Sequence, residues 1–493
     1  LCTRLYAPFR QLILKAGGFS SKTICSGIFL SERLLDTHLL KNEMAAIPPF
    51  LISYTVNTEA KKVDSFLGTK DFSKWLGLPV STAVYLGPHL GCQLQFENYD
   101  SEDLRHLSMT RLDHDEVNEE DRLIKKSKCV QRAIDYDFST AAMQKNQSRA
   151  VVVVHKGIIV AEQYQQSMGI SSQTRLLGWS MTKTVHTAIL GAAIQAGYLT
   201  LDDAVGLKDL SPEDRKTVIA LNDGEPPTFR TLLQMNDILE MQENYGMFGD
   251  VVEMIYGSAD AGKFASGKKT KPRKIMKQSR IARILSKVTP SSSADVRKSE
   301  PIQGSFGWYY SSGVSNVIAR ELRDLFPTTE SYLTFPRTRL FEPIGAESFA
   351  VELDAAGTFV ASSFSYATGR DWARLGELFL NKGNWDGLQV IPEDFVDFVV
   401  TPHRYSGGLY GGHMWLNPAG VSVSEYNALE HDHVEKKKKL WMTQVLPPDA
   451  YMMNGYLGQH NLVIPSLEIV ITRLGYTKDS PVSSSSSSSS SSS

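Results

Sequence analysis

Residues 149–164 read RAVVVVHKGIIVAEQY, two β-branched apolar runs interrupted at His155-Lys156-Gly157. Runs of this kind favour a pleated backbone, and the Gly-containing break closes them into a hairpin, with His155 a turn residue and not a ligand. Residues 460–464 and 467–474 repeat the pattern around Pro465-Ser466 and predict a second hairpin near the end of the chain. Shorter strand-like runs lie at 24–30 and 50–56. The period changes at 177–199, LGWSMTKTVHTAILGAAIQAGYL, where Val185, Ile189 and Ala192 or Ala193 recur at helical spacing. Gly197 suits a C-terminal cap. The small residues Ala188, Gly191, Ala192 and Ala193 predict a helix packed tightly on all sides, near the centre of the fold. Residues 201–264 read as a helical region with loops.

Composition divides the chain further. Residues 1–140 form an N-terminal extension with short strands, 141–478 the main domain, and 479–493 a tail ending in eleven serines that can build no core. Between Lys268 and Lys298 stand eleven Lys and Arg against one acid, Asp295, with Pro272, Pro290 and Ser291-Ser292-Ser293. This marks a basic insertion over 266–300; a solvated loop is preferred over an anionic docking surface. The net charge of -2 exerts no global pull on nucleic acid, and the insertion lacks the interleaved aromatics of a nucleic-acid site. No apolar run reaches the ~20 residues of a transmembrane span. Before Glu32 the only charges are Arg4, Arg10, Lys15 and Lys22. That stretch is read as the tail of a targeting segment, mitochondrial or other organellar, with secretion or membrane anchoring and a basic surface arm as alternatives. Cys2, Cys25, Cys92 and Cys129 are far apart, and four free thiols are expected, with a single bridge the alternative.

The candidate chemistry begins at Ser180-Met181-Thr182-Lys183. Residues three apart share a helix face, so the Lys183 amine can reach the Ser180 hydroxyl, and a helix N-terminus adds positive potential. A serine hydroxyl needs a base to take its proton, and burial of lysine favours the amine form that can do so. The pattern alone is weak, because Ser266-Gly267-Lys268-Lys269 matches it too. Two further stretches strengthen it. Trp308-Tyr309-Tyr310-Ser311-Ser312-Gly313, followed by Asn316, offers a tyrosine that can shuttle protons. Gly455-Tyr456-Leu457-Gly458-Gln459 offers a Gly-bounded strand against which substrate can lie, with an N–H for an oxyanion. His431-Asp432-His433 imitates a metal cluster, but no further ligand follows at suitable spacing and Lys436–Lys439 come next, so no metal is expected. There is no phosphate loop or dinucleotide fingerprint, hence no cofactor.

Ser-x-x-Lys, Tyr-Ser-Ser-Gly-x-x-Asn and Gly-x-x-Gly-Gln, in that order, resemble the serine β-lactamase/penicillin-binding-protein superfamily. The resemblance runs over 149–476 and is nearest to the class C-like branch and its 6-aminohexanoate-dimer hydrolase group. It implies an α+β fold, an antiparallel sheet flanked by helices with an all-helical region. It also implies Ser180 as acylated nucleophile, Lys183 as proton acceptor, Tyr310 as general base and acid, and an oxyanion hole from the N–H groups of Ser180 and Gln459. Tyr245, Ser312, Tyr456 and Gly458 would contact substrate. Tyr456 stands where relatives carry Lys or His, which argues against β-lactam carboxylate recognition, and Ser312 replaces the class C Asn. Asn236-Asp237 departs from the usual Ser-Ser beside the site. The expected function is cleavage of a small amide or ester through an acyl-enzyme. The alternative is a structural subunit of a larger, for instance mitochondrial, assembly, with protein partners bound through the basic insertion and N-terminal arm.

Overall fold

The computed structural model describes residues 2–33, 43–44, 51–68, 79–99, 101–111, 124, 127–139, 147–208, 210–222, 224–236, 239–246, 249–268, 308–403, 406, 408–417 and 446–477. Residues 269–300 of the basic insertion, the His431-Asp432-His433 cluster, Asp237 and the serine tail lie outside them.

The chain opens with helix α1 (Cys2–Cys25), continued by a wider π turn at Ser26–Leu30. A four-stranded antiparallel meander follows: β1 (Ile52–Asn57), β2 (Lys62–Leu67), β3 (Ser81–Gly87) and β4 (Gly91–Leu94). The larger sheet is built from β5 (Ser148–His155), β6 (Ile158–Tyr164), β7 (Trp415–Leu416), β8 (Tyr451–Gly455), β9 (Gln459–Ile464) and β10 (Ile469–Gly475). Its order is β7-β8-β9-β10-β5-β6, antiparallel throughout, so the two predicted hairpins meet side by side where β10 pairs with β5.

The unbroken valine run of β5 has a direct cause: both faces of the strand are covered. Val152 and Val154 join the main core, while Val151 and Val153 pack with Ile134 of the Lys128–Asp137 helix on the other face. The three helices of the site's surroundings are α2 (Met181–Gln195), α3 (Ser312–Arg323) and α4 (Gly369–Leu380). Helix α4 lies on the sheet, with Gly376 against Asn461 and Val470. Helix α2 is buried at every position from Met181 to Ala193, and Gly197 (φ +78) turns the chain after it, as the small-residue pattern predicts. An antiparallel sheet flanked by helices is thus the architecture.

Two expectations fail in the N-terminal region, and two of its four cations are buried. Residues 24–30 are helical, not extended, because Ile24 and Leu30 are buried against the small sheet as part of one continuous element. Close approach is possible because Gly17 faces Ser65 and Val80, where a side-chain carbon would sit 2.9 and 3.0 Å from its neighbours. Lys15 and Lys22 form no surface arm: Lys15 pairs with Glu253 at 2.5 Å and Lys22 with Glu352 at 2.7 Å, both lysines buried. Nor are the cysteines all free. Cys25 and Cys92 form a disulfide across 67 residues, because the end of α1 docks beside β4; Cys129 is free and exposed. Among the described residues no helix is long and apolar enough to cross a membrane.

Candidate active site

Ser180 occupies the N-cap of α2, yet its hydroxyl caps no backbone N–H. It lies instead 3.3 Å from Lys183 Nζ. The approach is set by Gly178 and Trp179. A side-chain carbon on Gly178 would lie 2.4 Å from the Trp372 ring, so only glycine lets the chain pass there, and Trp179 turns it in the left-handed region at φ +49. Ser180 is half-buried and reachable, whereas Lys183 is 1% exposed. Among the described residues Lys183 Nζ has three oxygen neighbours: Ser180 Oγ at 3.3 Å, Ser312 Oγ at 3.0 Å and the Ser362 carbonyl at 3.3 Å. The Tyr310 ring lies beneath it, its centroid 4.7 Å away.

The second motif holds these partners in place. Ser311 caps α3 by accepting from the Val314 N–H, which brings Ser312 to the first turn. Asn316, one turn on, donates to the Ser312 carbonyl and to Ser362 Oγ, both at 3.0 Å, and so ties together the two segments that contact Lys183. Gly313 admits the 239–246 loop, since a side-chain carbon there would lie 2.3 Å from Met241 Sδ. That loop delivers Glu243. Its carboxylate accepts from Ser312 N–H at 2.7 Å and Ser312 Oγ–H at 2.5 Å, and from Tyr245 O–H at 2.7 Å. Its own N–H donates to Tyr309 Oη at 2.9 Å.

The third motif spans the β8–β9 turn. Gly455 presses on the Gly178 carbonyl so closely that a side-chain carbon would sit 2.1 Å from that oxygen. Tyr456 projects from the turn, stacks on Tyr245 with ring centroids 6.0 Å apart, and meets the Trp179 ring edge-on at 6.0 Å. Tyr245 and Tyr456 are 51% and 45% exposed, so these rings form an open wall beside Ser180. Gln459 lies opposite Gly455 across the hairpin, and its side chain is spent on the Tyr456, Leu457 and Gly475 backbone. Gly458 (φ +80) faces Arg473 and Thr477, shaping the turn. Tyr310 is half-buried and packs on Tyr410 and Trp415.

The structure therefore brings Ser180, Lys183, Ser312 and Tyr310 together, with Tyr245 and Tyr456 at the rim. Glu243 and Ser362 are the contacts that sequence reasoning missed. The one signal for Glu243 is an acid two residues before Tyr245; nothing local marks Ser362. Beneath the site lie His186 and His413, the latter 3.4 Å from Ser315 Oγ. Burial pushes both down to about 3, His413 further disfavoured as a cation by nearby Lys183 and His186. They stay uncharged near neutral pH. Among the described residues no group of three or more His, Cys, Asp or Glu could hold a metal ion.

No family model and no curated protein matches the chain. Solved structures do resemble it. A protein described as a 6-aminohexanoate-dimer hydrolase from Bacillus anthracis has 18% identity and TM-score 0.44, covering 69% of this chain and 77% of that one. A class C β-lactamase from Rhodobacter sphaeroides has 14% identity and TM-score 0.42, covering 71% and 94%. An octameric penicillin-binding protein homologue from Pyrococcus abyssi has 13% identity and TM-score 0.42, covering 71% and 74%. Likeness at this level carries no inference about the reaction, which must rest on the site itself.

Proposed function

We propose that the chain is a serine hydrolase of the β-lactamase-related type, cleaving a small amide or ester through an acyl-enzyme on Ser180. The observation that carries this reading is the buried Lys183 amine 3.3 Å from a reachable serine hydroxyl whose capping duty is unused. Ser180 Oγ attacks the substrate carbonyl while its proton passes to Lys183, giving a tetrahedral oxyanion. The N–H groups of Ser180 and Gln459, as the sequence resemblance implies, stabilise that charge. Tyr310, whose ring lies 4.7 Å from Lys183 Nζ, hands its phenolic proton to the leaving amine or alcohol as the carbon–leaving-group bond breaks, and takes up in its place the proton that Lys183 received from Ser180. Water then attacks the ester, the proton returns along the same groups, and the acid product leaves. Tyr245 and Tyr456 supply an apolar wall with polar tips, suited to an uncharged chain or ring beside the scissile bond. Tyr456 also offers no cation for a carboxylate, which speaks against β-lactams as substrates.

The test is labelling of the whole chain with a fluorophosphonate probe, followed by peptide mass spectrometry. The adduct is expected on Ser180 and absent from Ser180→Ala; a folded wild-type chain that takes no label at Ser180 overturns the reading. The accessory-subunit alternative gains nothing from Lys15 and Lys22, which are internal.

A further inference from the structure

We infer that Glu243 is a positioning residue that acts through Ser312 to aim the lone pair of Lys183 at Ser180; this rests on the serine-hydrolase reading. In the amine form that the proposed attack requires, Lys183 Nζ has two N–H bonds and one lone pair. Of the three oxygens around Lys183 Nζ, the Ser362 carbonyl can only accept. Ser180 and Ser312 can each donate or accept, so with these alone the lone pair could face either serine. Glu243 removes the ambiguity. A carboxylate can only accept, and Glu243 Oε1 stands 2.5 Å from Ser312 Oγ, taking its single hydrogen. Ser312 must then accept from Lys183. Both amine hydrogens are thereby assigned, to Ser312 and Ser362, and the lone pair is left for the Ser180 hydroxyl.

The carboxylate is itself fixed for this task. Its second oxygen receives the Ser312 N–H at 2.7 Å, and Tyr245 O–H adds to Oε1 at 2.7 Å. Both Ser312 donors thus point at Glu243, one to each oxygen. A glutamine at 243 can accept with only one of its two head atoms, so one Ser312 donor must be lost or reversed. If the hydroxyl is the one reversed, Ser312 can turn its hydrogen toward Lys183 and compete with Ser180 for the lone pair. No such chain is readable from the Ser-x-x-Lys spacing, because Glu243 reaches Ser312 across 69 residues.

The experiment follows the rate and pH profile of Ser180 phosphonylation by a fluorophosphonate probe, in which Oγ displaces fluoride from phosphorus, in the full chain, for wild type, E243Q, S312A and the double variant. E243Q should be labelled roughly 10- to 100-fold more slowly, with a displaced pH profile and little change in probe affinity. In the S312A background the same substitution should add little, because its route to Lys183 is gone. A wild-type rate and pH profile for E243Q overturns the inference, as does an effect that multiplies in full with that of S312A. A purely structural tie would slow labelling without moving the pH profile, and that outcome also overturns it. Should E243Q not fold, an unchanged rate for S312A does so. If wild type itself takes no label at Ser180, the hydrolase reading is what has failed.

Discussion

Replacing Glu352 by glutamine isolates the charge of one buried ion pair. Glu352 and Lys22 side chains are 0% and 4% exposed, and their charged atoms lie 2.7 Å apart. At that separation the gross attraction is about 6 kcal/mol for an effective dielectric constant near 20, against which desolvation of both ions must be set. Removing one partner alone leaves the other uncompensated, which costs ~3–5 kcal/mol, whereas removing both is nearly neutral. The geometry makes the test clean. Ser26 Oγ and the Cys92 N–H both donate to Oε1, at 2.6 and 2.8 Å, while Lys22 faces Oε2. Glutamine can therefore keep both neutral bonds and change only the atom that faces the ammonium. Lys22 retains the Cys92 carbonyl at 2.6 Å and the Phe364 ring at 4.5 Å, which places the expected loss at the lower end, about 3 kcal/mol. Urea unfolding of wild type, E352Q, K22M and the double variant, disulfide intact in each, should show the double variant more stable than E352Q alone. A loss below about 1 kcal/mol for E352Q, or simple additivity, would refute the reasoning.

Other outcomes follow from the same structure. Gly178→Ala forces a methyl to within 2.4 Å of the fully buried Trp372 ring, so it should cost ~1–3 kcal/mol in thermal unfolding and also slow Ser180 labelling. His186 and His413 hold folded-state values of about 3 against an ordinary 6.5, so the unfolded chain binds more protons between those limits. Stability is therefore lost as pH falls below about 6.5, by roughly 2 kcal/mol per histidine at pH 5, and His413→Gln should flatten that slope in urea titrations. Asp354 works in the opposite sense. Burial raises it from 3.8 to about 7, so its contribution is lost as pH rises through that range, and Asp354→Asn should steepen the decline between pH 7 and 5 by about 2 kcal/mol. An unaltered slope in either variant would count against the assignment.

What was legible in the sequence is what is local. The β5–β6 and β9–β10 hairpins announce themselves by apolar runs, β-branching and a turn residue within a few positions, and α2 by period and small residues. Ser180 and Lys183 are one turn apart, so their contact is readable too. The rest depends on which distant segments meet. Ser362 reaches Lys183 across 179 residues through a backbone carbonyl, a group every residue carries, so no side-chain pattern could mark it. Residues 24–30 misled because a short apolar run with β-branching suits a strand and a fully buried helix equally. Lys22 was not readable as an internal residue for a related reason: composition cannot tell a solvated lysine from one whose counter-ion, Glu352, lies 330 residues away.

The Cys25–Cys92 bridge gives the molecule a covalent ring of which the β1–β3 strands are a part. A single proteolytic cut anywhere between those cysteines opens the ring without releasing a fragment. Helix α1 then stays attached to the body, and the nick becomes visible only when the thiols are reduced. In a compartment that keeps thiols reduced, the same cut would set the helix free, together with the lysine that neutralises Glu352. Release of α1 after such a cut is thus coupled to the redox state of the surroundings.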